Sequence, residues 1–230
     1  HAVSSRLREG QVTVVGNGSA CVVGGHAYII KKGQRFITNS AIASMGYDLP
    51  AAIGAWTASR DKGCYSQGGD RSGEDLILVT GDGSMQMNLQ ELQTIIHHRM
   101  GIKIFVINNG GYHSIRQTQK NFFGEPLIGI GVDSGDLSFP ALDKLAAAYG
   151  YPYVSARHNS ELGEAVEKTL AAEGPAICEV FVSMDQNFEP KSSAKRLPDG
   201  TMVSPPLEDL SPFLPDEEMD ENMIIPRIKG

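Results

Sequence analysis

Apolar residues fall in short runs separated by helix-length stretches of mixed polarity, and the clearest instance lies mid-chain. Leu76 to Val79 is too short for a helix and breaks at Gly81-Asp82-Gly83, which reads as a buried strand ending in a tight loop. From Met85 onward Leu89, Leu92, Ile95 and Ile96 recur on one helical face, and Gly101 stands where a C-cap is expected. Ile102 to Ile107, apolar except for Lys103, predicts a second strand that runs out into Asn108-Asn109-Gly110-Gly111. The whole is a β-loop-α-β unit with small polar residues at the end of each strand.

The same alternation extends both ways. Val12 to Val15 predicts a first strand, and Gly16-Asn17-Gly18-Ser19 a glycine loop opening a helix through about Ile30. Ser40 to Ala58 reads as an Ala- and Gly-rich helix with Leu49 and Ile53 on one face, and Asp61 to Glu74 as a charged, glycine-rich surface loop. Further on come a polar and aromatic segment from Ser114 to Phe123, a helix from Phe139 to Tyr149 with Asp136 and Ser138 as caps, a strand from Tyr151 to Ser155, a helix from Ser160 to Ala172 and a strand from Ala176 to Val182. The fold class expected is α/β, a doubly wound, mostly parallel sheet of about six strands with helices on both faces. Residues 1–186 form its domain. Residues 187–230, rich in Pro and acidic residues, form a tail with a turn at Pro198-Asp199-Gly200, expected to pack on the domain or on a neighbouring chain.

In a right-handed parallel crossover both strands end on one edge of the sheet, where open α/β sheets bind their ligands. Asp82 and Asn109 are therefore expected to be neighbours. Mg²⁺ takes hard oxygens in a near-octahedral shell and leaves several positions to phosphate and water. One carboxylate, one amide oxygen and a backbone carbonyl suit it. Gly83 permits close approach of a phosphate, and the helix opening at Ser84 offers unpaired N–H groups. The ligand these residues imply is a diphosphate held through a metal. Read blandly, the Asp-Gly and Asn-Gly pairs are ordinary turn residues, but that does not explain why both fall on one edge.

Gly81-Asp82-Gly83, 24 residues, then Asn108-Asn109 resembles the signature of thiamine diphosphate enzymes. The nearest likeness within that family is to the diphosphate-binding domain of acetolactate synthases, over nearly the whole chain. The resemblance implies that Asp82 and Asn109 hold Mg²⁺ by their side chains and Gly111 by its carbonyl. It implies that Gly81, Gly83 and Ser84 contact the diphosphate, joined by groups near Tyr112, His113 and Ser114. Ala43-Ser44-Met45-Gly46-Tyr47 is similar to the family's Gly-Thr-Met-Gly-Tyr segment, so the Ala43 carbonyl is expected to receive the cofactor's amino group and Met45 to prop its bent form. Where these synthases carry Gln-His in the first loop, this chain has Asn17-Gly18, so contacts there are expected to be mostly backbone.

The resemblance further implies decarboxylation of a 2-oxo acid such as pyruvate, transfer of the remaining two-carbon unit to a second carbonyl, and assembly as a homodimer or tetramer. It also implies a pyrimidine-binding domain, in the same or a partner chain, that supplies an activating glutamate. Neither Glu91 nor Glu125 matches that glutamate, and His1 stands where a longer protein would continue. The isolated chain is therefore expected to bind cofactor weakly and not to turn over. Two alternatives stand beside this one. The first is a carboligase whose acceptor is a keto-sugar nucleotide of surface-polysaccharide synthesis, suggested by Asn17-Gly18, by the tail and by a polar mouth containing Arg116 and Gln119. The second is a cofactor-binding subunit without catalysis. Arg116 reads equally well as a bidentate contact to a substrate carboxylate or phosphate and as part of a solvated helix face.

Composition narrows the field. A net charge of −7 and a pI near 5.4 leave no basic face for nucleic acid. Cys21, Cys64 and Cys178 are odd in number and widely spaced, which suits reduced thiols of a cytoplasmic protein, and no run approaches the roughly 20 apolar residues of a membrane span. The glycine loop after Val15 imitates a dinucleotide fingerprint, but Cys21 occupies the third glycine position and no acidic residue follows about 20 positions on. His97 and His98 close a helix far from the ligand edge and carry no chemistry. His113, five residues or fewer from Asn109, stands beside the cofactor, with an acid or base role its less favoured reading.

Overall fold

In a computed structural model that describes residues 1–60 and 75–227, the chain divides into two compact units, His1–Gln186 and Asn187–Gly230. The first contains helices α1 (Ala2–Arg6), α2 (Ser19–Ala27), α3 (Asp48–Arg60), α4 (Asp82–Gln86), α5 (Glu91–His97), α6 (His113–Phe122), α7 (Leu142–Tyr149) and α8 (Asn159–Ala171). Its strands are β1 (Val12–Val15), β2 (Arg35–Ile37), β3 (Leu76–Gly81), β4 (Ile102–Asn108), β5 (Tyr153–Ala156) and β6 (Ala176–Phe181). They form one sheet in the order β2-β1-β3-β4-β6-β5, every pairing parallel. The doubly wound α/β sheet read from the alternation is thus the fold.

Strand period two splits the core. Val12, Val14, Leu76, Leu78, Ile102, Ile104 and Ile177 face one way, packed with Leu49, Ala52, Leu92, Ile95, Leu142 and Ala146 from α3, α5 and α7. Ile77, Phe105 and Cys178 face the other way, against Leu7, Ala165 and Val166. The central strands are buried on both faces, which is why they read as continuous apolar runs.

Several boundaries differ from expectation. The helix expected over Ser40 to Ala58 begins only at Asp48, because Ala43 and Gly46 take positive φ (55° and 82°) that a helix cannot accommodate. Strand β2 was hidden by its short, half-polar sequence Arg-Phe-Ile, legible only as a strand paired to β1. The long helix expected after the Gly-Asp-Gly loop is broken into α4 and α5. Gly101 does not cap α5. Arg99, at φ 51°, takes the left-handed position, and the Met100 and Arg99 amides return to the carbonyls of Ile95 and Ile96, a Schellman pattern. Gly101 is needed for another reason: a Cβ there would lie 2.3 Å from the Asp75 carboxylate. The loop expected over Asp61 to Glu74 lies outside the described residues, as does Cys64.

The second unit holds an antiparallel pair, β7 (Lys195–Arg196) and β8 (Met202–Val203), and α9 (Asp216–Asn222). The turn expected at Pro198-Asp199-Gly200 joins the pair, with Gly200 at φ 89° and the Leu197 amide donating to the Thr201 carbonyl at 2.8 Å. Arg227 pairs with Asp216 and Asp220.

Candidate functional site

The chain runs from β1 outward to β2, then returns to lay β3 on the other side of β1, so the strand order reverses between β1 and β3. At such a switch point the loops after the two strands diverge and leave a crevice at their carboxyl ends. A cleft lies there, lined by Asn17, Gly18, Ser19, Met45, Gly81 to Ser84, Asn109, Gly111 to Ser114 and Ile115. Gly81 is in register with Ile107, so Asp82 and Asn109 leave the sheet on the same edge. Every residue expected from the sequence to hold the metal or the cofactor lines this cleft except Ala43, which is exposed, in a left-handed turn outside it.

Each loop is held by side chains of the others. Asn109 Nδ2 donates to Ser19 Oγ at 2.7 Å, which joins the β4 loop to the β1 loop. That bond commits the amide nitrogen and leaves Asn109 Oδ1 buried with no hydrogen-bond partner among the described residues. Asn108 is spent differently: it donates to Glu179 Oε1 at 2.6 Å and accepts from the Gly110 amide at 3.0 Å, while Tyr153 donates to Glu179 Oε2. Asn17 donates to the Ser44 carbonyl at 2.7 Å, so its side chain fixes the 43–46 loop. That loop is pinned again where the Gly46 amide donates to Ser84 Oγ at 2.9 Å and Asn88 Nδ2 donates to the Gly46 carbonyl at 2.5 Å. Ser84 Oγ accepts there, and its proton has no acceptor among the described residues.

Asp82 is buried, with Oδ1 accepting from the Gly83 amide at 2.9 Å and Oδ2 from the Gly111 amide at 3.0 Å. Burial pushes its carboxyl up to about 6, against the opposing pull of the Gly83, Gly111 and Gly110 amides and the Arg116 charge. A carboxylate taken out of water without a cation beside it prefers its proton. Gly83 is covered by Tyr112, whose ring would lie 2.4 Å from a Cβ there. Gly111, at φ 147°, bridges to Gly131, and a Cβ at Gly111 would lie 2.0 Å from the Ile130 carbonyl. Gly111 thus serves the approach of one backbone to another, and Gly83 the approach of a ring to the loop.

Two readings of side chains are corrected. Arg116 is neither a substrate contact nor a solvated face: it is 1% exposed and forms a bidentate pair with Asp133, at 2.7 and 2.9 Å. Helix α6 turns this face inward because the 130–133 segment packs against the loop before it. Gln119 is equally committed, exchanging two hydrogen bonds with the backbone of Ile128. The polar mouth that favoured a keto-sugar acceptor therefore loses both of its named residues. Ser19 and Ile115 are the cleft residues that sequence reasoning missed. Ser19 was legible as part of the glycine loop, whereas Ile115 carried no signal. Among the described residues no helix is long and apolar enough to cross a membrane.

Residues 16–180 match the family described as thiamine pyrophosphate enzyme, C-terminal TPP binding domain. The chain is 31% identical over 157 residues to an acetolactate synthase of Arthrospira platensis and 33% identical over 157 residues to an acetolactate synthase large subunit of Cyanidium caldarium, in each case 68% of this chain and 24% of the relative. It is 29% identical over 178 residues to the acetolactate synthase isozyme 2 large subunit of Escherichia coli K12, covering 77% of this chain and 29% of that protein. The chain spans about a quarter of the length of these curated relatives.

Proposed function

The chain belongs to the thiamine pyrophosphate enzymes, as their C-terminal TPP binding domain, and we propose that within it Asp82, Asn109 and Gly111 hold Mg²⁺ and, through the metal, the cofactor's diphosphate. One observation carries this reading. The cleft contains a buried carboxyl that is costly to ionise alone and, beside it, a buried amide oxygen left without a donor among the described residues. A divalent cation answers both, since it pulls the carboxyl back to its ionised form and accepts the amide oxygen as a ligand. Three protein oxygens leave the remaining positions to the diphosphate and water, so metal and cofactor bind together.

When bound, thiamine diphosphate supplies the carbon nucleophile for attack on a 2-oxo acid. The roles of this chain are to bind and to orient. Ser84 donates its hydroxyl proton toward the diphosphate, and the first turn of α6, through the Ser114 amide, presents its N–H end to the same anion, the Tyr112 amide being held by the Ile130 carbonyl. Met45 lines the cleft where it can support the rest of the cofactor, and Asn17 fixes the loop that carries it. The full protein that contains this domain is a 2-oxo acid decarboxylating carboligase of the acetolactate synthase kind. A pyrimidine-binding domain, in the same or a partner chain, completes the site, and the isolated 230 residues bind cofactor weakly without turnover.

The test is thermal unfolding of the chain with thiamine diphosphate, with Mg²⁺, and with both. Ligand at a hundredfold excess over its dissociation constant stabilises by about 2.7 kcal/mol, a shift of several degrees for a domain of this size. The shift is expected only when both are present, and it is expected to vanish in Asp82→Ala. A parent chain that melts at one temperature under all three conditions refutes the metal-diphosphate reading.

A further inference from the structure

The loop bearing Asn109, Gly110 and Gly111 leads directly into α6, and one turn into that helix Arg116 reaches back beneath it. The guanidinium is fully buried, the largest such side chain among the described residues. Its Nε and Nη2 donate to Asp133 Oδ2 and Oδ1 at 2.7 and 2.9 Å. Nη2 also reaches the Gly110 carbonyl at 3.3 Å, and Nη1 reaches the Asn109 carbonyl at 3.4 Å and His113 Nδ1 at 3.3 Å. The segment that carries Asp133 is fastened to the same loop by its backbone: the Tyr112 amide donates to the Ile130 carbonyl at 2.7 Å and the Val132 amide to the Gly110 carbonyl at 3.2 Å. Gly131 lies so close that a Cβ would sit 2.1 Å from the Gly110 carbonyl and 3.0 Å from Arg116 Nη2.

The chemistry of the two partners decides the direction of the bond to His113. A guanidinium has five N–H donors and no acceptor, so at Nδ1 it can only donate. Nδ1 therefore keeps its lone pair, and in the neutral ring the proton is on Nε2. His113 lines the cleft, so the ring offers that cleft a donor. The pairing with Asp133 also matters for charge. An unneutralised guanidinium in contact with the backbone of Asn109 would oppose a divalent cation at Oδ1, whereas the ion pair keeps the donors and nearly cancels the charge.

Resting on the function proposed above, we infer that Arg116, oriented by Asp133, is a positioning residue of the diphosphate-metal loop: it sets the carbonyls of Asn109 and Gly110 and fixes His113 as an Nε2–H donor toward the cofactor. Partners that orient metal ligands in this way typically cost about 10–100-fold in metal affinity when replaced. Lysine cannot replace the fork, because a single ammonium cannot meet a carboxylate, two carbonyls and a ring nitrogen in one plane.

The test has two arms. The first reads the imidazole nitrogens of His113 by ¹⁵N correlation spectra of the cofactor-free parent chain at pH 8, with Arg116→Lys and Asp133→Asn beside it. An Nε2–H pattern in the parent that gives way to a mixture of tautomers in Arg116→Lys supports the inference, and an Nδ1–H pattern in the parent overturns it. The second arm titrates thiamine diphosphate calorimetrically at saturating Mg²⁺ into the same three chains, each checked for native circular dichroism. A loss of about tenfold or more in both variants is expected. Asp133 is partly exposed, so Asp133→Asn keeps the comparison open if Arg116→Lys does not fold. Equal affinities in parent and variants overturn the inference and leave the proposed function standing, whereas a parent that binds no cofactor overturns both.

Discussion

The two edges of the sheet treat buried charge in opposite ways. At the amino-terminal edge Lys103, 0% exposed within β4, donates to the carbonyls of Ala172 and Gly174 and lies 3.3 Å from the Asp75 carboxylate. Its ammonium has three donors and three acceptors around it, so nothing remains for a ligand. At the carboxyl edge Asp82 is pushed toward its protonated form and Asn109 Oδ1 has no donor among the described residues. A buried group with its bonds complete holds the fold together, while one left incomplete raises its energy until something binds. The difference between the two edges, more than the presence of charge at either, separates structure from site.

That contrast is broken most sharply at Lys103. Removing Lys103 strips the donors from two carbonyls and a carboxylate that are themselves only partly buried, which costs about 3 kcal/mol in all. Lys103→Ala is expected to lose that much by urea denaturation. The affinity of the remaining folded fraction for thiamine diphosphate and Mg²⁺ is expected to be unchanged, since the cleft is at the other edge. An affinity that falls along with stability would mean that the two edges are not independent.

Asp82 gives the converse case, and its sign follows from the direction of its shift. The folded carboxyl titrates near 6 against an ordinary 3.8, so folding favours the protonated form. The stabilisation is complete below about pH 4 and is lost as pH rises through about 6, on the order of 2–3 kcal/mol. Without cofactor, the parent is therefore expected to be less stable at pH 7 than at pH 4.5 by an appreciable part of that amount. Asp82→Asn removes the titration and is expected to flatten this limb, and it also loses the Mg²⁺-dependent melting shift. Denaturation curves at four or five pH values between 4 and 8 decide it: equal slopes in parent and variant would show that another group governs this range.

What was legible in the sequence follows the same division. Strands β1, β3, β4 and β6 were readable because burial on both faces demands unbroken apolar runs, and the Gly-Asp-Gly and Asn-Asn loops because glycine and short amides rarely serve a buried strand end otherwise. Arg116 was misread because an arginine inside a polar decapeptide carries no sign of an aspartate 17 residues on, folded back beneath it. β2 escaped because three residues supply no period. Ser19 was seen only as backbone, since its bond to Asn109 spans 90 residues. Local pattern is written in neighbours, whereas pairings that close a site are set by sheet order.

The smallest expected effect lies at the turn between α5 and β4, again at the amino-terminal edge. The reading that gave Gly101 the role of C-cap placed a glycine two residues too late. Arg99 occupies the left-handed position itself, at φ 51°, where an L-residue is disfavoured by about 1–2 kcal/mol. Glycine adopts that conformation without a Cβ penalty but loses more entropy on folding, which offsets about 0.5–1 kcal/mol. Arg99→Gly is therefore expected to stabilise by about 0.5–1 kcal/mol and to raise the melting temperature by a few degrees or less. Gly101→Ala, two residues away, is expected to destabilise, because its Cβ would meet the Asp75 carboxylate beside Lys103. Opposite signs at two neighbouring positions would locate the turn at Arg99 and the close approach at Gly101. A loss of stability in Arg99→Gly would mean that the arginine side chain contributes more than its backbone strain costs. Neither variant is expected to alter cofactor affinity, so the pair also tests at low amplitude whether the amino-terminal edge can be rebuilt without disturbing the site.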